Sequence, residues 1–450
     1  VDSIKNGLAL STGCLLLALN GAALAQQQVS AVLAGHAILP MEARLEVPQD
    51  APDDMRISGK YTGAERVMEL GSVPGMSADR PTGYGLPIEG QPLQGHSGIK
   101  RMADGTYWVL SDNGFGSKAN SPDAMLYLNH YRIDFDDGSV TRLDTVFLHD
   151  PDGKVPFHIV NESSEKRYLT GSDFDPESFQ FAGGWLWIGD EFGPFLIQAE
   201  LDGKVVAVFE TEVDGQVVRS PDSPRWRSPG TPDGELDFQV SRSKGFEGMA
   251  ASPDGRKLYP LLEGALWNAA EQAYENEHGK RYLHLLEFDV ERRAWSGRSW
   301  KYVLEDDGNA IGDFNMIDPD SALVIERDNG EGTADRACAQ GEATSGCFSN
   351  VARFKRIYRI DFSDADVGQP VEKTAYVDLL DIRDPEGVAR KPLNDGRFTF
   401  PFFTIENVDV VDDRHIIVGN DNNFPFSSSR EPNLADDNEF ILLEVGRLLQ

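Results

Sequence analysis

A strand-turn-strand unit recurs five times along this chain, each copy placing acidic or amide residues at equivalent points. The copies begin near Gly95 (GHSGIKRMADGTYWVLSDNGFG), Gly171 (GSDFDPESFQFAGGWLWIGDEFG), Gly245 (GFEGMAASPDGRKLYPLLEG), Ile311 (IGDFNMIDPDSALVIERDNG) and Thr404 (TIENVDVVDDRHIIVGNDNN). They are offset by 76, 74, 66 and 93 residues. Self-similarity at so coarse a period marks a repeat architecture, in which neighbouring copies bury what one small sheet leaves exposed. Packing such sheets around an axis covers their faces and protects their edges, so the expected fold is an all-β propeller. The first strand of each blade then aims polar side chains at one shared axis.

Each unit carries an apolar or aromatic strand between turn residues. Tyr107-Trp108-Val109-Leu110 lies between Asp104-Gly105 and Asp112-Asn113-Gly114, and Trp185-Leu186-Trp187-Ile188 repeats the pattern. Asp, Asn and Gly at such boundaries set hairpin turns. Outer strands are expected over 125–135, 195–201, 282–290, 357–362 and 440–445. Residues 26–90 are rich in Pro, Gly and isolated charges, with a strand pair expected around 43–47 and 66–70; they supply another blade or complete one. The expected count is six blades, with five and seven open, in one domain over 26–450. Residues 268–280 read as a short helix or an ordered loop. Asn329 to Asn350 forms an insertion at the rim of the fourth unit.

The 450 residues are 40% apolar, enough for a large core. With 74 acidic against 42 basic residues the formal net charge is −32, which argues against nucleic acid as a partner. The acidity suits either a protein that concentrates cations or a heavily solvated surface. Residues 1–25 read as a signal peptide: Lys5, an apolar stretch from Leu8 to Leu19, and Ala23-Leu24-Ala25 as a small-residue cleavage site. Elsewhere no uninterrupted apolar run is long enough to span a bilayer, so no transmembrane anchor is expected. The expected location is a periplasm or the outside of the cell. After cleavage two cysteines remain, Cys338 and Cys347, nine positions apart in a Gly/Ala/Ser-rich loop, and a disulfide is expected there.

Two acidic or amide positions recur per unit. The first set is Asp173/Asp175/Glu177, Glu247, Asp313/Asn315 and Glu406/Asn407/Asp409. The second is Asp112/Asn113, Asp190/Glu191, Glu263, Glu326/Asp328/Asn329 and Asn420 to Asn423. Turn chemistry accounts for about half of them. It accounts less well for Glu247 and Glu406, which sit in apolar strand contexts where an unpaired carboxylate is costly. Either each is paired with a cation, or several converge on a metal. Oxygen ligands without a thiolate or histidine cluster favour calcium. The candidate ligands are Asp112, Asp190, Glu247, Glu326, Glu406 and Asn420. His96, at the first-strand position aligned with Glu247 and Glu406, is either an acid/base group or a hydrogen-bonded core histidine. Arg327 and Lys244 are the candidate cations for an anionic substrate, with His96 completing the candidate catalytic set.

At Ser111-Asp112-Asn113-Gly114-Phe115-Gly116, Gly189-Asp190-Glu191-Phe192-Gly193-Pro194-Phe195, Gly245-Phe246-Glu247-Gly248-Met249-Ala250, Ile325-Glu326-Arg327-Asp328-Asn329-Gly330 and Glu406-Asn407 through Gly419-Asn420-Asp421-Asn422-Asn423-Phe424-Pro425, the chain resembles the "esterase-like activity of phytase" family of exported bacterial propeller proteins. The motifs span about residues 80 to 447. The resemblance implies a β-propeller and metal-assisted hydrolysis of phosphate or other esters. The leading expectation is an exported calcium-dependent phosphoesterase acting on a small anionic ester. A calcium-dependent lactonase or carboxylesterase, and a non-enzymatic calcium-stabilised binding propeller, are the alternatives. Oligomeric state is not encoded in these features.

Overall fold

The computed structural model describes residues 26–63, 65–225, 238–341 and 344–450; the segment read as a signal peptide lies outside them. The described residues form a β-propeller of five blades rather than six. Blade I comprises His96–Arg101, Tyr107–Ser111, Tyr127–Asp134 and Ser139–Phe147, each strand antiparallel to the next. Blade II comprises Pro176–Ala182, Trp185–Asp190, Phe195–Ala199 and Val205–Glu210, and blade III Phe246–Ala251, Lys257–Leu262, Lys280–Asp289 and Ala294–Val303. Blade IV comprises Ala310–Met316, Ser321–Arg327, Lys355–Asp361 and Glu372–Arg383. Blade V takes three strands from the C-terminal region, Ile405–Val410, His415–Asn420 and Asn438–Glu444. Its fourth is Gln27–Leu39, from the other end of the described chain. The first strands of the five blades touch in a closed ring, I to V and back to I.

The extra residues before the first repeat therefore complete a blade instead of forming one. Gln27–Leu39 pairs antiparallel with Asn438–Glu444, and its first residues also pair in parallel with Glu372–Arg383 of blade IV. Residues 40–93 form short hairpins: Arg44–Leu45 pairs with Gln91–Pro92, Ile57–Ser58 with Ile88–Glu89, and Val73–Ser77 with Arg80–Leu86. The expected pair at 43–47 and 66–70 takes this form instead, and 268–280 holds short strand pairings and turns rather than a helix.

Both faces of each blade are covered, which is why the strand cores are nearly continuous apolar runs. Leu110, Phe179, Leu186 and Ile188 fill the wedge between blades I and II. Trp187, Met249 and Phe288 fill the next. Tyr259, Trp300, Phe314 and Tyr358 lie between III and IV, Ile325, Val377, Val408 and Ile441 between IV and V, and Val109, Tyr131, Ile417 and Phe440 between V and I. The hairpins of residues 40–93 pack through Met41, Leu86 and Ile88 onto Phe115 and Phe424, which follow the second strands of blades I and V. They cap that side of one mouth.

Cys338 and Cys347 are disulfide-bonded in the rim insertion of blade IV. This loop is tied to the hairpin cap by Glu331, which accepts from the buried Arg80 guanidinium at 2.5 Å. Among the described residues, no helix is long and apolar enough to cross a membrane.

Candidate metal centre

The pairing register decides which side chains reach the axis. Every first strand slips by a bulge against its second strand at the same place: between His96 and Ile99, Pro176 and Ser178, Phe246 and Gly248, Ile311 and Phe314, and Ile405 and Asn407. A bulge leaves its extra residue outside the ladder and re-aims its side chain. The residues released in this way include Ser97, Glu177, Glu247, Gly312 and Glu406. The last regular partners opposite them are Ser111, Asp190, Leu262, Glu326 and Asn420. Because side chains alternate along a strand, the next residue in each blade carries its side chain the other way. Those next residues are Asp112, Glu191, Glu263, Arg327 and Asp421.

The result is an acidic mouth. Asp175, Glu177 and Glu191 offer carboxylate oxygens within 4.8 Å of one another, as do Glu191, Glu247 and Glu263. Glu406 joins them, accepting from Ser97 Oγ at 3.0 Å and from the Arg327 guanidinium at 3.3 Å. Asp112 and Asp421 press on Glu406 electrostatically. Burial, followed by mutual repulsion, raises the carboxyls of Glu177, Glu191, Glu247 and Asp421 well above the usual range. Burial also lifts Asp175 and Glu406 to about 7, Glu406 against the opposing pull of Arg327 and Ser97, and Asp112 to about 6. Three buried oxygens, Asp175 Oδ1, Glu191 Oε1 and Glu247 Oε1, accept no hydrogen bond among the described residues. Buried acceptors without donors are costly, so this set is suited to a cation.

Two basic side chains serve the mouth. Lys244 Nζ lies 2.5 Å from Glu263 Oε2. Burial pulls Lys244 down, but Glu263 and Glu191 outweigh it and hold its pKa above the ordinary lysine value. Arg327 is buried, bonded to Glu406 and to Asn329 Oδ1 at 3.2 Å, and Phe403 covers its guanidinium. A cavity of about 180 Å³ opens beside them, lined by Lys244, Glu263, Tyr274, Arg281, Asn309 and Asn329. Larger cavities lie at the opposite ends of the blades; one of about 460 Å³ gathers Trp108, Phe181 and Trp185 rather than a cluster of acids.

The other end of the axis is closed. Lys100 Nζ donates to Asn315 Oδ1 at 2.9 Å and to Asp409 Oδ1 at 3.0 Å, and Gln180 Nε2 donates to the same Asn315 oxygen at 2.8 Å. Above this plug, Asp313 accepts from the backbone of Ile99, Phe314 and Val408.

Two glycines permit the packing around the mouth. A side chain at Gly245 would put its Cβ 2.5 Å from Glu191 Cα. One at Gly312 would drive into the Ile405 carbonyl and lie 3.2 Å from Glu406 Cα. Gly312 therefore presents no side chain to the mouth, Asp313 beside it is spent on the backbone N–H groups of Ile99, Phe314 and Val408, and Arg327 occupies that sector.

Of the residues singled out from sequence, the mouth brings together Asp112, Glu247, Glu406, Arg327 and Lys244. The others turn away from it. His96 lies between Tyr131 and Phe440, its Nε2 3.2 Å from the Tyr131 hydroxyl, and burial lowers its pKa to about 3; it is a core histidine, and its neighbour Ser97 takes the axial place. Asp190 accepts the backbone N–H groups of Asp175 at 2.8 Å and Gly193 at 2.7 Å, holding the turn that positions Glu191. Glu326 faces into its blade and is held by Tyr302, Asn309, Lys373 and the Glu305 backbone. Asn420 bonds the backbone of Asp421, Asp437 and Glu439. Asp175, Glu177, Glu191 and Glu263 take their place; all four are in the recurring acidic sets, and the bulge was the missing signal.

A family model for the phytase-like group, described as esterase-like activity of phytase, matches residues 91–424. A curated relative, an uncharacterized secreted protein of Arthroderma benhamiae, is 22% identical over 254 residues, covering 46% of this chain. The chain spans about half (48%) of that relative's length. Among solved structures, the periplasmic gluconolactonase PpgL of Pseudomonas aeruginosa is 14% identical, with a TM-score of 0.30 over 86% of this chain and 98% of its own. A luciferin-regenerating enzyme is 12% identical, with a TM-score of 0.33 over 86% of this chain and 96% of its own. Similarities this distant carry no weight for activity.

Proposed function

The chain belongs to this phytase-like family, and on that premise we propose that it is an exported, calcium-dependent phosphoesterase working at the acidic mouth. The observation that carries the reading is the juxtaposition of buried carboxylates lacking donors with Lys244 and Arg327, beside a cavity that Lys244 and Glu263 line. Asp175, Glu177, Glu191, Glu247 and Glu263 would hold the calcium, with Glu406, Asp112 and Asp421 around them; an all-oxygen donor set suits this ion. Bound there, the ion would supply charge neutralisation and a lowered pKa for water.

The chain's own residues divide the remaining work. Arg327 presents a guanidinium whose planar fork matches phosphate oxygens, and Glu406 and Asn329 fix its orientation. Lys244 lines the cavity and would add a point charge for the anionic group. The polar lining of Tyr274, Asn309 and Asn329 leaves room for a small leaving group. Glu406, lifted to about 7 by burial against the pull of Arg327 and Ser97, can carry a proton to or from an oxygen at neutral pH. Export is supported by the signal-like leader, the disulfide and the secreted relative.

The test is a panel of phosphomonoesters, phosphodiesters, lactones and carboxyl esters, assayed after chelation and after calcium return. Calcium-restored turnover of phosphoesters is expected. Turnover confined to neutral esters or lactones would replace the reading with a lactonase, and no turnover at all would make the propeller a binding module.

A further inference from the structure

We propose that the mouth holds two divalent-cation positions that share the Glu191 carboxylate, one completed by Asp175 and Glu177 and the other by Glu247 and Glu263. The inference rests on the reading of the mouth as a cation site and adds its stoichiometry and the residue that couples its halves.

The two triads of converging oxygens have one member in common, Glu191. Each half has an independent mark of an absent partner. Asp175, a residue 2% exposed, belongs to the first triad alone, and its Oδ1 has no donor among the described residues. Glu247, a residue 5% exposed, belongs to the second alone, and its Oε1 is equally without one. Glu191, also 5% exposed, has a free Oε1 of its own and meets both groups. A single cation would leave one half's buried acceptor unanswered. A carboxylate has two oxygens and can serve a cation on each side.

The halves differ in charge. Among the described residues, Asp175, Glu177 and Glu191 form no ion pair with lysine or arginine. In the second half Glu263 is already engaged by Lys244 at 2.5 Å, and Arg327 draws on Glu247. The first half therefore presents the stronger field and fills first; the second binds more weakly, because its ion must compete with Lys244 for Glu263.

The experiment is a calcium titration of the chelated full chain by isothermal calorimetry, with folding checked by circular dichroism. Two equivalents are expected, in a tight and a weaker step. Glu177→Gln should weaken the tight step at least about ten-fold, while Lys244→Gln, which frees Glu263 and relieves the shared Glu191, should tighten the weaker step more than the tight one. Glu191→Gln should weaken both. One equivalent in the wild type overturns the proposal, as does a Glu191→Gln variant that loses one step and keeps the other intact. A single step with calcium-restored hydrolysis would overturn the shared site alone; no binding at all would remove the metal reading with it.

Discussion

Two kinds of buried acid coexist in this propeller. Inside the blades, Glu326 accepts from the Tyr302 hydroxyl at 2.9 Å, Asn309 Nδ2 at 2.8 Å, the Glu305 N–H at 2.8 Å and Lys373 Nζ at 2.6 Å. Glu439 is gripped by Arg430 at 2.6 Å and His36 at 3.1 Å; burial opposes its charge, but these partners draw its pKa down to about 2. On the axis, Glu191 and Glu247 are as deeply enclosed, yet each keeps an oxygen with no donor among the described residues and a raised pKa. The protein meets the desolvation cost of one group with its own cations and leaves the other group unanswered. Acids of the first kind hold the fold together, and acids of the second kind are held in place by it.

The largest contrast is expected from paired substitutions. Glu191→Gln should lower calcium-dependent turnover by about 100-fold or more, the scale on which metal-assisted steps depend on their ligands, without lowering the urea midpoint of the chelated protein. Glu326→Gln removes the buried carboxylate that Lys373 bonds at 2.6 Å, leaving it the longer 3.4 Å contact with Glu305, and should cost about 3 kcal/mol of stability, while turnover of the folded fraction stays near wild type. Equal loss of stability in both variants would erase the distinction. Next in size, Arg327→Lys should lower kcat/KM for a phosphoester by about ten-fold or more, since a point charge cannot reproduce the fork, and should leave a neutral ester unaffected. A smaller change is expected from Gly245→Ala, whose methyl group must displace the Glu191 backbone. Calorimetry should show calcium binding weakened by about ten-fold, as when other supports of a metal ligand are disturbed.

The pH dependence of melting sharpens the comparison further. Asp175 and Glu406 titrate near 7 in the folded chain, above the carboxylate range of the unfolded one. Their contribution is fully present below that lower range and is lost as pH rises through about 7. The chelated protein should therefore melt several degrees lower at pH 8 than at pH 5, and calcium should remove most of the difference. For Glu439 the sign is reversed: its stabilisation is present above the ordinary carboxylate range and fades as pH falls toward 2.

The recurrence of the acidic units made the propeller legible, because five copies of one pattern cannot each bury a sheet alone. The blade count was less so. The residues before Gly95 contribute one long strand to the last blade, and a strand that completes a distant sheet looks in sequence like one that begins a new sheet. Which residues face the mouth was legible to within a single position. Asp190, Glu326 and Asn420 each stand one position before the side chain that faces the mouth, and His96 stands one before Ser97. The cause is common to all blades: the bulge in the first strand shifts the facing parity, and nothing in a period-two pattern announces it. Asp112, Glu247 and Glu406 do lie at the mouth; the residues before them, Ser111, Phe246 and Ile405, are not acidic and offered no competing choice.

The strand that closes the ring joins residues far apart in the chain: His36 meets Glu439, 403 positions away. Blades I to III can each form from a contiguous stretch, but blade V lacks its outer strand until both distant segments are present. Non-local pairing of this kind slows folding, since the whole intervening loop must be ordered before the contact rewards it. A polypeptide emerging N-terminal end first would hold Gln27–Leu39 unpaired until the final strands appear. During that interval an apolar strand edge is open to other chains.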